Sequence, residues 1–78
     1  MFGSKEYEAV RYLIMLEKGH TSYGAFAPDL PGCVAVGESP EETLTMMRQA
    51  IAMHLRGIRE DGQAVPPPAA TVDYVDVA

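Results

Sequence analysis

Between Tyr23 and Glu42 the chain is punctuated so closely that few folds remain open to it. Tyr23-Gly24-Ala25-Phe26 has the aromatic and small residues of a short strand. Pro28 ends it, because proline has no N–H to give to a sheet ladder. Pro31-Gly32 is a good central pair for a tight turn, with φ preset by the proline and positive φ open to the glycine. Cys33 to Val36 then reads as another short strand. Ser39-Pro40-Glu41-Glu42 opens a helix: Ser39 as the N-cap, Pro40 in the first turn, and Glu42 placed to close a capping box. Strand, turn, strand and helix start thus follow one another with almost no slack.

The rest of the chain extends this frame. Residues 8–17 alternate, with Val10, Tyr12, Ile14 and Leu16 on one face and Leu13 and Met15 on the other. Both faces are largely apolar, the second also carrying Ala9, Arg11 and Glu17, as in a central strand or one covered on both sides. Lys18-Gly19-His20-Thr21 reads as a hairpin connection. The helix is predicted from Pro40 to about Asp61, with Gly62 as its left-handed stop. Its apolar stripe is Leu44, Met47, Ile51, Leu55 and Ile58, flanked by Thr43, Ala50 and His54. Pro66-Pro67-Pro68 is a semi-rigid spacer, and Val72 to Val77 is predicted as a last strand.

The predicted order is β-β-β-α-β, an α+β two-layer sandwich with one helix on one face of the sheet. A right-handed crossover from the helix places the last strand beside the first, giving a sheet order of 3-2-1-4. One helix leaves the opposite face of the sheet bare. An uncovered apolar face is normally hidden against something, so a homo-oligomer (dimer or tetramer) or a protein partner is expected.

Composition narrows the function. The chain has 78 residues and is read as one domain over 1–78. Domains this small bury only about 60% of their unfolded surface, which makes help from a partner physically reasonable. The net charge of −5 repels phosphate backbones, so no direct nucleic-acid binding is expected. No apolar run reaches the roughly 20 residues of a membrane span, and a cytoplasmic setting is expected. Cys33 is the sole cysteine, so there is no internal disulfide and no thiolate cluster. It reads as a small buried apolar residue. No pair of His, Asp or Glu has ligand spacing, so neither a metal nor another cofactor is expected.

The run from Tyr23 to Leu44, with the later Ala50-Ile51-Ala52-Met53-His54-Leu55 and Gly62-Gln63-Ala64-Val65-Pro66-Pro67-Pro68, resembles the HicB antitoxin family. The resemblance covers about Tyr7 to Val77. It implies a partial ribonuclease-H-like fold and a non-enzymatic role in a type II toxin–antitoxin system. There a HicB protein neutralises a HicA toxin, a small basic protein that cleaves messenger RNA, by direct binding. Many HicB proteins also carry a C-terminal DNA-binding domain, and nothing up to Ala78 matches one. A solitary oligomeric HicB-like domain with an unknown ligand is the alternative, and no small-molecule substrate is predicted.

Candidate contact residues are Tyr23, Phe26, Asp29, Leu30 and Pro31. Asp29 and Leu30 stand at the tip of the double-proline turn, where Asp equally serves as a turn cap. Tyr23 and Phe26 read as contacts or as core aromatics, and a strand aromatic is more often core. His54, beside the helix stripe, is a candidate functional histidine, or a hydrogen-bonded one at the rim of the core. The competing enzymatic reading is a metal-dependent nuclease using Asp29, Asp73 or Asp76. Such chemistry needs carboxylates converging on two ions about 4 Å apart. Asp73 and Asp76 point to opposite faces of a strand, and the middle of the first strand, Tyr12 to Met15, has no carboxylate.

Overall fold

A computed structural model describes residues 10–78. Three strands and one helix are formed: β1 (Met15–Lys18), β2 (Tyr23–Phe26), β3 (Val34–Gly37) and α1 (Pro40–Glu60). The strands make an antiparallel meander in the order β1-β2-β3. Leu16 pairs with Ala25, and Ala25 with Ala35, in the middle of the sheet. The class is α+β, as the sequence leads one to expect.

The double-proline segment is two turns sharing a corner. Leu30 N donates to Ala27 O at 3.0 Å, with Pro28 in the first bend. Cys33 N donates to Leu30 O at 3.1 Å, with Pro31 and Gly32 in the second. Gly32 has φ 85, the left-handed value a type II turn requires at its third residue. Leu30 is the shared corner, held by both bonds, and its side chain turns inward to 1% exposure.

The helix start has the expected Ser39 cap, while the Glu42 carboxylate reaches one residue past the Ser39 N–H of a capping box, to Glu38. Ser39 Oγ accepts from Glu42 N at 3.1 Å, and Glu42 Oε1 accepts from Glu38 N at 2.6 Å. Glu41 and Glu42 stand in the first turn, where the helix dipole favours acid. At the other end Gly62 N donates to Arg59 O and Gln63 N to Ile58 O, a Schellman closure with Gly62 at φ 74.

Helix and sheet meet closely because small residues face each other. Ala25, Ala35 and Gly37 lie on the helix side of the sheet, and a Cβ added to Gly37 would come within 2.5 Å of Thr43 Oγ1. Thr43 is fully buried, its hydroxyl donating to Ser39 O at 2.7 Å. The helix is therefore rolled relative to the stripe read from spacing. Met47 and Leu55 are buried and Ile51 and Ile58 half-buried, as expected, but Leu44 is exposed and Thr43 takes the inner place. The buried core consists of Ala25, Ala27, Leu30, Cys33, Met47 and Leu55, with Tyr12, Ile14 and Val65 among the side chains packed against it.

Two expectations are corrected. The first strand pairs only over Met15–Lys18; Val10 to Ile14 run unpaired, and Glu8 and Ala9 lie outside the described residues. The predicted fourth strand is not formed among the described residues, so the order 3-2-1-4 reduces to its three-stranded part. Val72 to Val77 has no sheet partner and is exposed throughout. Alternation reports that a segment suits a strand; it cannot report which edge, or whose, the segment pairs with.

Candidate functional site

The strand register decides what the bare face of the sheet presents. Ala25, Ala35 and Gly37 admit the helix on one side, and Met15, Phe26, Val34 and Val36 stand on the other. Met15 pairs with Phe26 and Phe26 with Val34, forming one apolar row across all three strands. Glu17, Gly24 and Val36 form the next row. Met15, Phe26, Val34 and Val36 are all exposed, Val34 and Val36 at 61%. An apolar row on an open sheet face is the kind of surface that marks a protein contact.

The residues singled out from sequence are not gathered at one place. Phe26 lies at the centre of the apolar row. Tyr23 is half-buried on the opposite, helix-facing side, paired with Lys18 and Gly37. Pro31 is exposed at the turn. Leu30 does not present its side chain to a partner, because the double turn drives it into the core. Asp29 is committed within the chain: its Oδ2 accepts from Ala69 N at 3.0 Å and Ala70 N at 3.1 Å. With Tyr12 Oη donating to Pro66 O at 2.6 Å, it fastens the proline-rich exit to the body of the domain.

Sequence reasoning missed Met15, Val34 and Val36. The available signal was the small set Ala25, Ala35 and Gly37, which marks the helix-facing side by exclusion.

His54 is half-buried and lines a shallow depression of about 220 Å³ with Cys33, Val34 and Met53. Burial raises the Cys33 thiol above its ordinary pKa, which keeps it protonated and unreactive at neutral pH. A second groove, of about 310 Å³, runs between Val10–Ile14 and the helix, lined by Tyr12, Leu44, Met47 and Ile51 with Arg11 and Arg48. Among the described residues no three His, Cys, Asp or Glu side chains converge as metal ligands would. No helix among them is long and apolar enough to cross a membrane.

The site is thus an exposed apolar sheet face on a small α+β domain, with Met15, Phe26, Val34 and Val36 open to solvent. Residues 12–77 match the family model described as the HicB-like antitoxin of bacterial toxin–antitoxin systems, and the chain belongs to that family. It is 31% identical over 65 residues to an uncharacterized 14.9 kDa protein in the rep-hol intergenic region of Haemophilus phage HP1, a match covering 83% of this chain and 49% of that protein. It is 40% identical over 47 residues to a UPF0150 protein of Helicobacter pylori, covering 60% of this chain and 65% of the relative. The chain therefore spans about half of the phage protein and just under two thirds of the Helicobacter one. No solved structure matches it significantly.

Proposed function

We propose that this chain is the toxin-binding domain of an antitoxin. It acts in the cytoplasm and neutralises a small basic, HicA-like toxin that cleaves messenger RNA, by covering the toxin's working surface. The carrying observation is the open apolar row Met15–Phe26–Val34, in a chain that belongs to an antitoxin family. Glu17 within that face, and the net charge of −5, supply complementarity to a basic partner, which speeds encounter and fixes orientation. Phe26 is the central anchor, with Pro31 and Tyr23 as peripheral contacts and His54 a polar one at the rim. The domain performs no reaction in this reading.

The test is co-expression with each small basic protein encoded beside this gene. Growth arrest by one of them, relieved by this chain and not by Phe26→Asp, is the expected result. Phe26→Asp should retain the wild-type fold, since the side chain faces away from the helix. Relief undiminished by Phe26→Asp would remove the sheet face from the mechanism. The absence of any toxic neighbour would shift the assignment to a solitary HicB-like domain.

A further inference from the structure

The helix leaves one large apolar side chain of its stripe out of the core. Leu44 follows the helical spacing, yet it is 41% exposed, because Thr43 takes the inner place against Gly37. Its exposure has a context. Leu44, Met47 and Ile51 line one side of the groove of about 310 Å³, and Val10, Tyr12 and Ile14 line the other. That volume falls within the range of small-ligand sites, about 300–1,000 Å³. Among the described residues, the polar side chains lining the groove are Arg11, Tyr12 and Arg48, and no carboxylate joins them. The Tyr12 hydroxyl already donates its proton to Pro66 O, so the arginines are the donors left.

We propose that this groove is a binding site for an amphipathic organic anion, a carboxylate on a linear hydrocarbon tail. The tail lies between the apolar sides of the groove and withdraws the exposed Leu44 and Val10 from water along with itself. The carboxylate meets the guanidinium groups of Arg11 and Arg48, which carry donors and no acceptor. Their planar forks match the two oxygens of a carboxylate, and a hydrogen bond between opposite charges is stronger than a neutral one.

Charge selects this ligand over the alternatives. The chain carries 11 acidic residues against 6 Lys and Arg, and a groove lined by two of those cations and no acid reverses that balance locally. A cationic head would be repelled by both arginines, and a neutral head gains only ordinary hydrogen bonds. A nucleic acid is disfavoured by the net charge of −5, whereas a single carboxylate needs only the two arginines. Beyond the arginines the groove offers little to amides or hydroxyls, so the tail is hydrocarbon. The inference is independent of the toxin-binding reading: the groove lies between Val10–Ile14 and the helix, and the apolar row lies on the other side of the sheet.

The probe is sodium decanoate, kept below its micelle concentration. Titrated into the full-length, isotope-labelled chain, it should shift the amide resonances of Tyr12, Ile14, Leu44 and Ile51 and saturate at one molecule per chain. Arg11 and Arg48 are exposed, so Arg11→Gln and Arg48→Gln should keep the wild-type circular dichroism. Each should weaken decanoate binding by about tenfold, the equivalent of roughly 1.4 kcal/mol. Decanol should bind at least about tenfold more weakly than decanoate, and decyltrimethylammonium should leave the groove resonances unmoved. The proposal is overturned by the lack of a saturable shift, by shifts centred on Met15, Phe26 and Val34 instead, or by equal binding of decanoate and decanol. Binding that neither arginine change weakens overturns it too. So do nuclear Overhauser contacts in the ligand-free protein that fill the groove with another segment or another copy of this chain.

Discussion

At the residue scale, a few side chains hold positions that no substitute fills. Gly37 is one, because the helix start leaves no room for a Cβ. Gly37→Ala should destabilise the domain by about 1–3 kcal/mol, the usual cost of overpacking, seen as a lower urea midpoint. Leu30 is another. Leu30→Ala removes a fully buried corner residue and should cost about 2–5 kcal/mol, enough to unfold much of a domain this small. Cys33 adds a pH effect. Its thiol is raised by burial, so the folded state holds the proton more tightly than the unfolded state does. The contribution is fully present at neutral pH. It is lost as the pH climbs through the ordinary thiol range toward the higher folded value. Denaturation midpoints of wild type and Cys33→Ala should therefore diverge in their pH dependence only on the alkaline side. Leu30 also shows where sequence reasoning reaches its limit. A Leu between two prolines reads as a loop tip, and only the two hydrogen bonds meeting at Leu30 reveal that the tip folds inward.

At the element scale, the helix and the double turn were legible and the sheet was so only in part. Ser39, Pro40, Glu42 and Gly62 declare both ends of α1, because caps are local chemistry and need no knowledge of the rest. Ser39→Ala should cost about 1 kcal/mol by loss of the cap, measurable in thermal unfolding. The face of the helix was legible to within one residue: Thr43 lies inside where Leu44 was expected, since Gly37 accepts only a short side chain. Strand pairing is non-local, and there the reading stopped short. The segments before Met15 and after Ala70 both have the apolar, β-branched composition of strands, yet that composition is shared by paired and unpaired segments alike. Asp29 links these scales. Asp29→Asn weakens the acceptor for Ala69 and Ala70, and the amides of those two residues should exchange with solvent measurably faster.

At the scale of the whole molecule, a thin core governs behaviour. The buried apolar set includes two alanines and a cysteine, and the sheet is covered on one side only. Such a domain has little stability in reserve, and partners that cover its open face and edge add to it by mass action. The melting temperature should accordingly rise in the presence of the proposed toxin partner, measured by thermal unfolding at a fixed protein concentration. Belonging to an antitoxin family was readable from the turn and the helix start. The exposed apolar face proposed for contact was not, because it depends on which side of the sheet the helix takes.

The fastenings at the proline-rich exit also set an order of events. Most of the domain is local: β1, β2, β3 and α1 follow one another and pack as neighbours. The bonds from Asp29 to Ala69 and Ala70 span 40 and 41 residues, and that from Tyr12 to Pro66 spans 54. Closing loops of that length is entropically slow to be rewarded, so the meander and helix form first and the exit is tied down last. Asp29→Asn should then leave the folding limb of a chevron almost unmoved and steepen loss through faster unfolding. Releasing the exit becomes the first step by which the native domain comes apart.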